Sequence, residues 1–187
     1  VALGERLHGR KQATLDDAPG NDAERVKALV DHTASYLEAG ARRVICVVNS
    51  VKRARQVFEK LRSIGERDDF SAVLLIGPQR PYDRAGAIET ARPILEGLTE
   101  EEPIVCVATQ AIEVGVDADA DAMVTESASA AALTQRFGRL NRSGQGNGVA
   151  TVVRDPDNWL YGDDEQATWE WLSSRADADG QIDISVA

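Results

Sequence analysis

The sequence predicts a three-layer α/β sandwich, a mostly parallel sheet with helices on both faces, and three observations carry the prediction. Five short apolar runs, residues 44–48, 73–76, 104–108, 123–125 and 149–153, are rich in β-branched residues and do not alternate with polar ones. That is the pattern of strands buried on both faces. Helical stretches fall between most of these runs, and such alternation specifies parallel strands joined by crossover helices. Finally, 187 residues suffice for one well-buried domain with short extensions.

Taken in order, residues 1–20 are polar and irregular and read as a linker or lead-in, 21–155 as the domain, and 156–187 as a C-terminal extension with a short helix. The first helix spans 22–39, with Asp22 as N-cap and Gly40 just past its end. After strand 44–48 comes a helix over 51–62, and after strand 73–76 one over 82–95 opened by Pro81. Strands 104–108 and 123–125 precede a helix over 130–142, followed by strand 149–153. The last helix, 163–175, carries Trp169 and Leu172 three apart, the spacing of a face that packs onto the domain.

Composition narrows the function. With 43% hydrophobic and 28% charged residues the chain is an ordinary globular one rather than a disordered one. No apolar run approaches the ~20 residues that span a bilayer, and no charged-then-apolar leader opens the chain, so a cytoplasmic protein without membrane contact is expected. The chain opens on Val1 rather than methionine, which suggests a piece of something longer. A net charge of -10 opposes nonspecific nucleic-acid binding, which rests on phosphate neutralisation by Lys and Arg; any such contact must be local. Cys46 and Cys106 sit inside apolar runs and read as buried small side chains, and His8 and His32 stand apart, so no metal site is predicted.

The most informative stretch is 130–142, read as one helix with two stripes. Leu133, Phe137 and Leu140 recur at i, i+4 and i+7 and share a face fit for burial. Gln135, Arg139 and Arg142 repeat that spacing two positions on, roughly 200° round the helix. An amide and two permanently charged guanidiniums so aligned suit phosphate oxygens. Gly138 falls mid-helix, which predicts close backbone approach, and no acid lies between Glu126 and Asp155, so the arginines have no acidic partners nearby in sequence.

In open α/β sheets the working groups collect at the carboxyl ends of the strands. Here those ends carry Asn49 and Ser50, then Gly77-Pro78-Gln79-Arg80, then Thr109 and Gln110. Asn49, Ser50 and Arg80 read equally well as local structure, since Ser50 is a good N-cap and Gly77-Pro78 a good turn. Thr109 points more firmly to function, because a hydroxyl and freed N–H groups at a strand end are available to a phosphate. Further along this segment, Gly115 permits a turn that returns Asp117 toward the sheet edge.

These residues resemble the second RecA-like domain of superfamily 2 helicases. Asn49-Ser50-Val51 is similar to motif IV, Ala108-Thr109-Gln110 through Gly115-Val116-Asp117 to motif V, and Gln135-Arg136-Phe137-Gly138-Arg139-Leu140-Asn141-Arg142 to the Q-x-x-G-R-x-x-R of motif VI. Asp117-Ala118-Asp119-Ala120-Asp121, Tyr82-Asp83-Arg84 and the tail Tyr161-Gly162 with Thr168-Trp169-Glu170-Trp171-Leu172 resemble the CRISPR-associated helicase-nuclease of type I interference systems. The loop 77–81 departs from the His-Ser-Arg type more usual at that point.

The resemblance implies a mostly parallel RecA-like sheet and an ATP-dependent DNA helicase or translocase. It implies that Gln135 and Arg139 contact the γ-phosphate, that Arg142 is the arginine finger, and that Gly115 and Asp117 border the nucleotide. Thr109, Gln110, Asn49, Ser50 and Arg80 would contact nucleic acid. The phosphate-cradling G-x-x-x-x-G-K-[ST] does not occur in the sequence. The run Asp163-Asp164-Glu165-Gln166 superficially looks like a magnesium-holding acid pair, but it opens a helix. ATP and Mg2+ are therefore expected to be held mainly by an N-terminal RecA-like domain of the same polypeptide, leaving this segment alone inactive. The expected partners are that domain, single-stranded DNA and a CRISPR surveillance complex. An RNA helicase, another DNA translocase, or a non-catalytic α/β interaction module would share many of these features.

Overall fold

The computed structural model describes residues 9–17, 20–77, 79, 81–98, 102–113, 117–157 and 159–185. Its elements are β1 (Lys11–Asp16), α1 (Asp22–Glu38), β2 (Arg43–Val47), α2 (Val51–Asp68), β3 (Ser71–Leu75), α3 (Pro81–Thr90), α4 (Arg92–Glu96), β4 (Ile104–Ala108), a 3-10 turn (Gln110–Ile112), β5 (Ala122–Glu126), α5 (Ala130–Phe137), β6 (Gly148–Val153), α6 (Asp163–Ser173) and β7 (Gln181–Asp183). The strands form one sheet in the order β3-β4-β2-β5-β6-β1-β7. All pairs are parallel except β1 with β7.

Period-two alternation builds the three layers. Along β2, Val44 and Cys46 join the core under α1 and α2 with Val26, Leu29, Val57 and Leu61. Ile45 and Val47 point the other way, to a core shared with Ile94, Leu133, Trp169 and Leu172 of α4, α5 and α6. Every residue of β4 and β5 is buried; β4 is wholly apolar, whereas β5 ends on the buried polar pair Thr125 and Glu126. Burial pushes the Cys46 and Cys106 thiols up to about 12.

The structure departs from the sequence expectations at several elements. Residues 11–16, read as irregular lead-in, form β1 between β6 and β7. Its signal is weak because the strand carries only Ala13 and Leu15 as apolar residues. Lys11 is buried and its ammonium donates to the Phe137 carbonyl at 3.0 Å. The first helix is capped by Asn21, not Asp22: Asn21 Oδ1 accepts from the Ala23 and Glu24 N–H groups at 3.0 Å, and Glu24 Oε2 accepts from Asn21 N–H at 3.2 Å. Residues 82–95 divide into α3 and α4, since Pro93 has no N–H to continue the ladder.

The largest departure is in 130–142. Helix α5 ends at Phe137, with Gly138 as C-cap rather than a mid-helix residue, its N–H donating to Thr134 O at 3.0 Å. The chain then extends, because Leu140 bridges Ala120 through Ala120 N–H to Arg139 O at 2.9 Å and Asn141 N–H to Ala120 O at 2.8 Å. Asn141 takes a left-handed φ of 39°. Lys11, arriving from β1, takes the freed carbonyl at the helix end, a long-range contact with no local signature. Gln135, Arg139 and Arg142 therefore do not form one helical stripe. Among the described residues, no helix is long and apolar enough to cross a membrane.

Candidate functional site

The carboxyl ends of β2, β4, β5 and β6 converge on a buried polar network. Asn49 follows β2: its N–H donates to Glu126 Oε2 at 2.5 Å, and its Nδ2 donates to Ser127 O at 2.9 Å and Asp155 Oδ2 at 3.4 Å. Arg53, one turn into α2, pairs with Glu126 and with Asp155 at 2.9 Å while its Nε reaches Asp22 at 2.8 Å. Burial pushes the Glu126 carboxyl up to about 7; Arg53 opposes that shift and the Asp155 charge adds to it. Burial alone would lower Arg53, but Glu126 and Asp155 outweigh it and hold the guanidinium above its ordinary range. Ser127 Oγ donates to Glu165 Oε1 at 2.5 Å and accepts from Asp155 N–H at 2.8 Å, tying α6 to the same cluster.

Arg136 is the hub of this network, although its position gave it no part in either proposed stripe. It lies three residues after Leu133, on the buried side of α5, and is fully buried. Its Nε donates to Glu113 Oε1 at 2.9 Å, and Nη1 to Thr125 Oγ1 at 2.8 Å and Glu126 O at 3.0 Å. Nη2 donates to Asn49 Oδ1 at 3.1 Å and to Tyr161 OH at 3.0 Å. These bonds engage all five N–H donors of the guanidinium.

The candidate residues therefore separate into two groups. Asn49, Ser50, Thr109 and Gln110 stand at the strand carboxyl ends. Ser50 is an N-cap, its Oγ accepting from Arg53 N–H at 3.2 Å, and Gln110 Nε2 donates to Asn49 O at 3.2 Å. Thr109, between β4 and the 3-10 turn, is buried. Asp117 and Arg142 lie near the strand amino ends instead, where Arg142 N–H donates to Asp119 Oδ1 at 2.8 Å and Asp119 stands 3.8 Å from Arg43, the first residue of β2. A cleft of about 550 Å³ there is lined by Arg43, Asp117, Asp119, Arg142, Ser143 and Gln145. Arg80 and Gly115 fall outside the described residues.

Arg139 connects the groups. Its guanidinium donates to the carbonyls of Ile112 at 3.4 Å and Glu113 at 3.0 Å, at the end of the 3-10 turn. Burial, and then the Arg142 charge beside it, holds Arg139 below the ordinary arginine range. Gln135 is exposed on α5. The arginines find acidic partners outside the acid-free stretch around them: Arg142 Nε meets Asp117 Oδ1 at 2.9 Å and Arg136 meets Glu113 at 2.9 Å. Both acids come from the segment after β4, remote in sequence from the helix. The sequence reading also gave no site role to Arg53, Glu113, Glu126 and Asp155, and took Tyr161 only as part of the tail resemblance. The one local signal was a Glu closing the apolar strand Ala-Met-Val-Thr-Glu, an acid that needs a buried partner.

A seven-stranded, mostly parallel sheet between two helix layers, with a short helix after β5 that leads into Arg139 and Arg142, matches the α/β fold of the RecA-like domains of helicases. The chain superposes on the crystal structure of T. fusca Cas3-ATP with a TM-score of 0.76 and 20% identity, over 94% of this chain and 22% of that one. Residues 40–145 match the family model of the CRISPR-associated nuclease/helicase Cas3, C-terminal, and the chain belongs to that family. It is 33% identical over 126 residues to the CRISPR-associated nuclease/helicase Cas3 of Haloferax volcanii, covering 64% of this chain and 13% of the relative. It is 30% identical over 112 residues to the CRISPR-associated helicase Cas3 of Thermoproteus tenax, covering 59% and 18% respectively. The chain thus spans less than a fifth of the length of these relatives.

Proposed function

We propose that this segment is the C-terminal motor half of an ATP-dependent DNA helicase or translocase acting in CRISPR interference. The observation that carries the reading is the pair Arg139 and Arg142. Two guanidiniums close enough to repel are anchored by backbone carbonyls and by Asp117, whose carboxylate is 77% exposed. A polyphosphate is the ligand that such a pair accommodates, because added negative charge relieves the repulsion and each fork can meet phosphate oxygens. The donor set thus fits ATP, which supplies the free energy of phosphoryl transfer when bound. Gln135 and Arg139 would hold its γ-phosphate, Arg142 would act as the finger, and Asp117 with Gly115 would border the nucleotide. Mg2+ belongs to an N-terminal RecA-like domain on this reading.

Thr109 and Gln110, with Arg80, would line the nucleic-acid track at the strand carboxyl ends. Asn49 and Ser50 contribute to it by fixing backbone shape, since their side chains are already engaged within the protein. A cytoplasmic location and recruitment by a CRISPR surveillance complex accompany this reading. The test is ATP turnover and strand displacement by the full-length protein, with single-stranded DNA and RNA compared. Turnover stimulated by DNA more than RNA is expected. Stimulation by RNA alone would favour an RNA helicase, and turnover indifferent to both would overturn the motor.

A further inference from the structure

We infer that Arg136 and Glu113 are positioning residues that couple nucleic-acid occupancy to the arginines of the nucleotide site, an inference that rests on the motor reading above. The two candidate groups lie toward opposite ends of the strands, so a signal between them needs a physical carrier. Among the described residues, the 3-10 turn Gln110–Ile112 with Glu113, and the segment of α5 that runs on to Arg139, reach toward both. At one end Gln110 and Asn49 are joined, Gln110 Nε2 donating to Asn49 O at 3.2 Å. At the other end Arg139 is held by the Ile112 and Glu113 carbonyls at 3.4 and 3.0 Å.

Arg136 closes the path. One fork meets the Glu113 carboxylate at 2.9 Å, the Asn49 amide oxygen at 3.1 Å and the Tyr161 hydroxyl at 3.0 Å, while its other nitrogen is fixed on the end of β5. Glu113 thus binds Arg136 through its side chain and Arg139 through its backbone. A shift of the turn that accompanies strand binding at Gln110 moves Glu113, and with it the carbonyl that aims Arg139. The buried fork on β5 limits where α5 can go in response. Tyr161 brings the C-terminal extension into the same joint, its ring 5.9 Å from the Arg136 guanidinium carbon.

The experiment compares Glu113→Gln and Arg136→Lys with the wild type in the full-length protein. ATP turnover is measured with and without a single-stranded DNA oligonucleotide, along with ATP KM, oligonucleotide affinity and Tm. Glu113→Gln keeps an acceptor oxygen and the shape but removes the ion pair. Unstimulated turnover, KM and oligonucleotide affinity should stay within about twofold while stimulation by the oligonucleotide falls about tenfold, within the range that residues along a coupling network supply. Arg136→Lys should lose stimulation at least as much, since an ammonium cannot hold turn, strand end and Tyr161 together. Should it fail to fold, Glu113→Gln decides. Undiminished stimulation in Glu113→Gln, or stimulated and unstimulated turnover falling together with Tm, overturns the inference while the motor reading stands. A wild type whose turnover ignores the oligonucleotide removes both.

Discussion

Arg142 rests one nitrogen on Asp117 at 2.9 Å, an exposed pair of the kind worth about 0–1 kcal/mol, so releasing it to an anion costs little. In the full-length protein Arg142→Ala should leave ATP affinity within a few fold and cut hydrolysis by ~10³, about 4 kcal/mol of transition-state stabilisation. Arg142→Lys should fail nearly as badly, because a point charge on a shorter reach cannot reproduce the planar fork. Nucleotide affinity and turnover measured on both variants check this; near-normal turnover in Arg142→Ala would rule out a finger. Glu126 makes a different claim. Its carboxyl, held up to about 7 by burial, keeps its proton in the folded chain at pH values where the unfolded chain has lost it. Its contribution to stability is therefore full below about pH 4.5 and is lost as pH rises through 7, by about 3 kcal/mol. Denaturant unfolding of this chain and of Glu126→Gln should show the wild-type advantage shrinking across that window, whereas a constant difference would contradict a protonated Glu126. Motif spacing singled out Arg139 and Arg142 in the sequence. Arg136 was not, because its significance lies in partners 87, 23 and 25 residues away.

Elements were legible wherever burial on both faces leaves a compositional trace. Strand β4 matches its predicted limits, and β2, β3, β5 and β6 fall within a few residues of theirs. Strand β1 escaped notice because it carries only two apolar residues although it is paired on both sides, and β7 because it is a three-residue strand at the edge of the sheet. The end of α5 escaped notice for a related reason: the bridge from Leu140 to Ala120 and the bond from Lys11 are tertiary, and they override a helical periodicity that runs on to Arg142. The loop so created is tightly packed where it meets β6. A Cβ on Gly148 would stand 2.7 Å from Leu140 Cγ and 3.0 Å from Asn141 Cβ. Gly148→Ala should accordingly cost ~1–3 kcal/mol. Gly86, inside α3 with open space around its Cα, should behave oppositely, Gly86→Ala stabilising by ~0.5–1 kcal/mol. Thermal unfolding of the two variants tests both signs, and a neutral Gly148→Ala would mean that the loop is not locked against the strand.

At the scale of the molecule, charge and connectivity together decide what this segment can do alone. Its net charge of -10 repels a polyanion, and several polar groups that the strand ends could offer are already engaged: Asn49 on Ser127, Asp155 and Arg136, Gln110 on Asn49, Ser50 on Arg53. Affinity for single-stranded DNA must then come from a few local donors, whereas nonspecific binding scales with the number of phosphates neutralised. The same logic applies to ATP. Arg139 and Arg142 can stabilise charge, but no G-x-x-x-x-G-K-[ST] occurs in these 187 residues, so no such loop is supplied to cradle the phosphates. The isolated chain should thus hold a single-stranded oligonucleotide no more tightly than ~10⁻⁶ to 10⁻⁴ M near 150 mM salt, and should show no magnesium-dependent ATP turnover above background. Fluorescence anisotropy across a salt series and a phosphate-release assay on the purified chain measure the two. Submicromolar binding at that salt would mean that the strand-end groups exchange their internal partners for phosphate at low cost. Steady turnover free of contaminant would mean that the arginine cleft beside Asp117 holds and activates the nucleotide without a second domain.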